Sequence, residues 1–297
     1  MKTRAGLLLC IGWLGFVVLP LGGQAAAKAA DDLFEPVKLL MTKVEIEIYE
    51  HLADDKARDE FIADFWKKRD PSPLSEENEF RDDFGKRVEF ANRWFQERGQ
   101  AGSGWDSDRG RVLVMLGFPD QREQMPMIEN PRIKAAEVWI YSIYSLRLVF
   151  IDYEGFGRFR LDRWPLELLD AIDRVKDLGI PAVKKDYFRF KARGGATGVR
   201  IEIPLRTVIM EERGDELRAA FTVMVDVYFG YVKLERLSLT REFIEDRAAF
   251  MARKNIAIDV PYSYPKAGKY FLDVIVEEKV TGQRYRDFVR FKASGKG

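Results

Sequence analysis

The chain holds one cysteine, Cys10, and one histidine, His51, in 297 residues. A catalytic dyad or triad with a histidine base has only His51 to use. A zinc site of cysteine and histidine needs about three or four ligands, and they are missing. An excess of one charge is missing as well. The 49 basic side chains stand against 48 acidic ones, so no overall basic field points to nucleic acid. What remains is 46% apolar and 33% charged, too apolar for a disordered chain and too charged for a polytopic membrane protein.

Lys2 and Arg4 form a short basic start, residues 5–21 an apolar stretch, and GGQAAAKAADD a small-residue patch followed by acid. This is the layout of a secretory signal peptide over residues 1–30. Ala25-x-Ala27 and Ala27-x-Ala29 both suit cleavage, so the mature chain is expected to begin between Lys28 and Asp32. An uncleaved anchor is the rival reading, but the apolar stretch is at the short end for spanning and the small-residue patch favours cleavage. Cys10 lies inside the apolar run, behind Leu7, Leu8 and Leu9, a poor place for a lipid anchor. Cleavage leaves no cysteine, so the exported protein must be held by its cores without disulfides.

Composition divides the rest near residues 179–186, GIPAVKKD. Residues 31–183 hold 23 basic and 32 acidic side chains, a balance of −9; residues 184–297 hold 23 and 16, a balance of +7. Two domains are expected, over 31–183 and 184–297.

In the first, residues 55–69 place Ala57, Phe61, Ile62, Phe65 and Trp66 on one helical stripe. A second helix is expected from Ser75 to Arg98, capped by Ser75, with Phe80, Phe84, Val88, Ala91 and Phe95 on its apolar face. Residues 44–52 alternate like a strand at Val44, Ile46 and Ile48, yet their glutamates favour a helix. RVLVML at 111–116, between Gly110 and Gly117, reads as a buried strand. Residues 137–143 and 146–152 read as two more, joined at Tyr144-Ser145, and 155–161 as an extension. A helix over Pro165–Leu178 follows. The expectation is an α+β domain, helices followed by a small antiparallel sheet.

FWKKRDPSPLSEENEFRDDFGKRVEFANRWF at 65–95, GWDSDRGRVLVMLGFPD at 104–120, and the later EVWIY and GFGRFRL resemble the GWxTD domain family of exported bacterial proteins. The resemblance covers about residues 44–162. The naming motif falls on Gly104, Trp105 and Asp108, with Ser107 where the family has threonine, which keeps the hydroxyl. Gly117-Phe118-Pro119-Asp120 stands where family members commonly read G-P-P-D. The resemblance implies an exported domain and carries over no catalytic residue.

The motif can be read from its chemistry. Gly102 and Gly104 permit a tight turn. Asp106, Ser107 and Asp108 can fold back onto loop N–H groups, Arg109 or Arg111 can pair with a carboxylate, and Trp105 can cover the loop. Gly104, Trp105, Asp106, Ser107, Asp108 and Arg109 are therefore either a satisfied structural turn or a binding loop on a rigid scaffold.

Other constellations are poorer. Arg69, Asp70, Glu79, Arg81, Asp82 and Asp83 make a dense charge cluster that suits a solvated helix face. Asp106-x-Asp108 begins like a calcium loop but has Gly117 where the twelfth-position glutamate belongs. Gly155-x-Gly157 lacks the third glycine of a dinucleotide loop and suits a hairpin turn. No metal and no cofactor is expected. His51 reads as a surface or capping residue, and Trp66, Trp94 and Trp139 as core.

The second domain reads as strands at 186–192, 199–209, 217–229, 232–240, 254–260, 269–280 and 284–293, with a hairpin at Thr281-Gly282. About seven short strands with no helix between them suggest an all-β, immunoglobulin-like sandwich, by pattern alone. Two functions follow. The favoured one is a non-enzymatic binding protein, exported to the periplasm or the medium, with an envelope protein or polysaccharide as partner, no nucleic acid, and no membrane span after cleavage. The alternative is a carboxylate-based hydrolase acting on glycans, with Glu79, Asp106 and Asp108 as the candidate carboxylates.

Overall fold

The computed structural model describes residues 35–72, 75–97, 102–125, 130–179 and 189–294. The expected leader and residues 180–186 of the expected junction lie outside the described residues. Helix α1, Lys43–Glu50, settles the ambiguous segment 44–52. Thr42 and Glu45 form a reciprocal capping box, with Thr42 Oγ1 accepting from Glu45 N and Glu45 Oε2 from Thr42 N. Two N–H groups that a helix start leaves unpaired are thereby satisfied, which outweighs the strand-like alternation. Helix α2, Asp55–Lys68, starts from an Asp54 cap and buries Phe65 and Trp66.

Helix α3, Glu79–Trp94, begins four residues later than expected. The cap is Asn78, not Ser75. Asn78 Oδ1 accepts from Arg81 N while its Nδ2 donates to the Trp66 carbonyl, so one side chain starts α3 and ties it to the end of α2. The expected strand at 111–116 is a helix, α4, Asp108–Leu116. Val112 to Leu116 are all buried. A continuous apolar run carries no period, so it reads alike for a buried strand and a buried helix. The cap at Ser107 decides it: its Oγ accepts from Gly110 N at 3.1 Å. Gly117, at φ 85°, ends the helix.

The sheet follows as β1 (Gln121–Met125), β2 (Ala135–Tyr141), β3 (Leu146–Asp152) and β4 (Phe159–Leu161), antiparallel in that order. Strand β1 is exposed throughout and had no apolar pattern to announce it. Helix α5, Leu166–Leu178, completes the layer. One core joins Phe65, Phe84, Phe95, Val114, Trp139, Phe150 and Leu168. Trp66 and Trp139 are core as expected, whereas Trp94, the last residue of α3, is 60% exposed.

The second half is a sandwich. One sheet has the order β10-β6-β5, from β5 (Lys191–Gly195), β6 (Gly198–Pro204) and β10 (Asn255–Pro261). The other joins β12 (Arg284–Ala293), β11 (Gly268–Glu278) and β8 (Glu216–Phe229), with β7 (Glu211–Arg213) and β9 (Val232–Asp246) also paired to β8. A short helix, α6 (Arg247–Met251), interrupts the strands and was not expected. Phe221, Val223, Val225 and Val227 of β8 and Leu272, Val274 and Val276 of β11 face Val199, Ile201, Ile203, Ile256 and Ile258 of the smaller sheet. The period-2 alternation thus becomes a closed core. Among the described residues no helix is long and apolar enough to cross a membrane.

Candidate functional site

The motif loop sits on the C-terminal end of α3. A β-carbon added to Gly104 would lie 2.0 Å from the Ala91 carbonyl oxygen, and one added to Gly110 would lie 2.0 Å from the Gly104 oxygen. Glycine at both positions lets the turn Gly104–Asp106 lie flat between α3 and α4. Trp105 is half-buried against the core, and its backbone N–H donates to Asn92 Oδ1. Ser107 Oγ donates to the Gly104 carbonyl at 2.8 Å while it caps α4, two roles a threonine hydroxyl fills equally. Asp106 accepts from Nε and Nη2 of Arg111 near the surface.

Asp108 and Glu97 perform one task together. Asp108 Oδ2 accepts from Leu161 N at 2.8 Å, and Glu97 Oε1 accepts from Phe159 N at 3.1 Å. Residues 159 and 161 are alternate positions of β4, the last strand of its sheet. Two carboxylates thus occupy backbone donors along an edge that would otherwise lie open. Both also lie within 4 Å of Arg160 Nη1, at 3.8 Å and 3.9 Å. Burial raises Glu97 above the usual carboxylate range, against the pull of Arg160 and Arg109.

Arg109 points inward. Its Nη1 donates to Glu137 Oε2 at 3.1 Å and its guanidinium lies 4.0 Å from the Phe159 ring centre and 4.7 Å from that of Phe95. Glu137 is fully buried and also accepts from Arg122 and the Trp139 indole. Burial alone would raise Glu137, but those hydrogen bonds outweigh it and hold its carboxyl below the usual range. Asp152 Oδ1 accepts from Glu154 N and Gly155 N, and its Oδ2 from Gly157 N. The Gly155-x-Gly157 segment is therefore a carboxylate-anchored turn.

Among the three candidate carboxylates, Asp106 and Asp108 share the loop but face different arginines. Glu79 is exposed in the first turn of α3, twelve residues before Ala91, or about 18 Å along the helix axis from where the loop packs. His51 caps the end of α1, and its ring stacks on Tyr231 at 3.9 Å.

The largest polar cluster was not anticipated. It lies between the halves and is built from Glu45, Lys68, Arg69, Asp226, Asp273 and Arg286, all buried. Arg69 reaches both oxygens of Glu45, at 3.0 Å and 2.8 Å. Arg286 joins Glu45 Oε1 at 3.0 Å to both oxygens of Asp273, at 2.7 Å and 2.8 Å. Lys68 Nζ sits between Asp273 at 2.6 Å and Asp226 at 2.7 Å. Arg236 then links Asp226 to Asp64. Burial would lower Lys68, but Asp273, Tyr228 and Asp226 together outweigh it and keep the ammonium charged. Burial would raise Glu45, but Arg286 and Arg69 outweigh it and hold its carboxyl at about 2. Ile48 of α1 packs beside this cluster on Tyr228 and Phe271. A signal was present: VMVDVYF and YFLDVIV each carry one acid within an apolar strand, at Asp226 and Asp273.

Residues 25–163 match the model of the GWxTD domain family, so the first half of the chain carries a GWxTD domain. No curated protein matches the chain.

Proposed function

We propose that this GWxTD-domain chain is an exported, non-enzymatic binding protein of the bacterial cell envelope, with a protein or polysaccharide partner. The observation that carries this reading is the use made of the motif. Ser107 caps α4, Asp108 closes the β4 edge, Asp106 is held by Arg111 and Arg109 by Glu137. No motif carboxylate is left free to act as acid, base or nucleophile, and Glu79 is remote from the other two. A glycosidase needs two carboxyl groups flanking one bond. Export is supported by the leader-like residues 1–30.

The reading has two tests. Tagged mature protein, cross-linked in its native envelope, is expected to retain a specific partner, and sequencing of the exported form is expected to find a start between Lys28 and Asp32. Glycan cleavage by the wild type that Asp108→Asn abolishes while the fold is kept would replace this reading with the hydrolase. Retention of residues 5–21 in the membrane fraction would overturn the soluble exported form.

A further inference from the structure

A cleft of about 610 Å³ opens where α1 meets the outer face of the larger sandwich sheet. Val44, Ile48 and Phe271 line its apolar side, with Ile48 and Phe271 already buried against each other, and Tyr231, stacked on His51, lines it as well. The same sheet face carries charge. Lys269 and Lys292 stand directly opposite each other across the β11–β12 ladder, and both line the cleft. Like charges at that spacing, about 5 Å between β-carbons, repel. Neither lysine has a carboxylate within 4 Å among the described residues.

The cleft's own acid is already occupied. Glu47 Oε2 accepts from Arg290 Nη2 at 2.8 Å, and its Oε1 accepts from the Tyr231 hydroxyl at 3.0 Å. Arg290 is thereby neutralised, and the two ammonium groups are left facing each other beside an apolar surface. A volume of this size suits a small molecule, and sites of this kind combine apolar walls with a few charged groups that fix orientation.

We infer that this cleft binds an anionic amphiphile, its acidic head between Lys269 and Lys292 and its apolar body along Val44, Ile48 and Phe271. The head relieves the repulsion of the lysine pair, and the body covers Val44, the residue of that apolar side that is not already buried. The inference rests on the binding-protein reading above and gives it a ligand class and a place, the seam between the GWxTD domain and the sandwich.

Calorimetric titration of the purified mature protein tests it with four probes: dodecyl phosphate, dodecanoate, inorganic phosphate and the uncharged dodecyl maltoside. The two anionic amphiphiles are expected to bind at one site, and inorganic phosphate and the maltoside at least about tenfold more weakly. Lys269→Glu with Lys292→Glu should weaken the anionic probes by about tenfold or more, while Lys269→Arg with Lys292→Arg should stay within about threefold of wild type. Both lysines lie at the cleft surface, so thermal melts of the variants should match wild type. Absence of binding by both anionic amphiphiles, equal binding of all four probes, or an unchanged affinity in the glutamate variant overturns the inference. If the glutamate variant still captures the envelope partner while the wild type binds no amphiphile, the cleft assignment fails and the binding-protein reading stands.

Discussion

Asp226 and Asp273 stand directly opposite each other in neighbouring strands β8 and β11, and Lys68 of α2 places its ammonium 2.7 Å from one and 2.6 Å from the other. Two carboxylates in that register repel. The cation between them comes from the other half of the chain, so the sheet's outer face is electrostatically complete only with the GWxTD domain in place. Lys233, Arg236 and Arg286 supply the remaining neutralisation from within the sandwich.

Lys68→Met should therefore be severe. Removing one partner of a buried ion cluster leaves uncompensated charge and costs about 3–5 kcal/mol. Adding Asp226→Asn to Lys68→Met should recover part of that loss, because one of the repelling carboxylates is gone. Urea unfolding of wild type, both single variants and the double variant measures the coupling. Strict additivity would mean that Lys68 does not act through Asp226.

Asp108→Ala leaves the Leu161 N–H unpaired and should cost about 1–3 kcal/mol. Ser107→Ala removes the α4 cap and should cost about 1 kcal/mol, whereas Ser107→Thr should be neutral. Trp105→Ala should cost about 2 kcal/mol, less than the ~3–5 kcal/mol of a fully buried ring, because this ring is half-buried. Thermal melts of the four variants beside wild type check the set. Midpoints unchanged in Asp108→Ala and Trp105→Ala alike would return the loop to the status of a binding site.

Much of this architecture is legible in side chains that act locally. The apolar stripe of α2 and the alternation in β8 and β11 sort one face from the other, but the caps at Thr42, Asp54 and Asn78 escape the same reading, since Ser75 offers the chemistry that Asn78 supplies. The failures have one cause each. Val112 to Leu116 are apolar on every side, so no period distinguishes helix from strand, and only Ser107 tips the balance. Strand β1 is polar and exposed, held by its ladder with β2 and not by burial. Asp108 is found by its motif, but its partner Leu161 lies 53 residues away and no local rule connects them. The ion cluster is the same case on a larger scale. Asp226 and Asp273 look like interruptions until Lys68 arrives from a helix 205 residues from Asp273.

The seam should respond to pH in two opposite ways. Glu45 and Asp64 are held at about 2, below their usual 4.5 and 3.8. For each, burial is outweighed by cations: Arg286 and Arg69 at Glu45, Lys68, Lys233 and Arg236 at Asp64. A depressed carboxylate stabilises the fold above its unfolded value, so this contribution is lost as pH falls from about 4.5 to about 2. Asp177 is the reverse. Burial pushes it to about 6 despite Arg286 and Arg69. Its folded form holds a proton more tightly than the unfolded chain, so stability rises as pH falls from about 6 to about 4. Asp177→Asn should then stabilise by about 1–2 kcal/mol at pH 7, after allowance for the screening of a half-buried group, with the gain gone below about pH 4. Urea midpoints at pH 7, 5 and 3.5 measure this; an equal effect of Asp177→Asn at all three would refute it.

The charge change near residues 179–186 raises the question of whether residues 184–297 fold alone. Their core is their own: Val199, Ile201, Phe221, Val223, Leu272 and Val274 close on one another without help from the first half. Their outer face is not. In the isolated fragment Asp226 keeps Lys233 and Arg236 and Asp273 keeps Arg286, but both lose Lys68, and Tyr228 and Phe271 lose their cover from Ile48. Water reaching those carboxylates lessens the penalty of the missing cation, since repulsion between exposed charges is weak. We therefore expect a cooperative melt with a midpoint below that of the whole protein. Asp226→Asn should lower it less in the fragment, where Arg236 and Lys233 alone lose a partner, than in the whole protein, where Lys68 loses one as well. A smaller loss in the fragment would place the dependence at the seam; an equal loss in both, or a fragment with no cooperative transition, would mean that the sandwich does not hold its outer face as described.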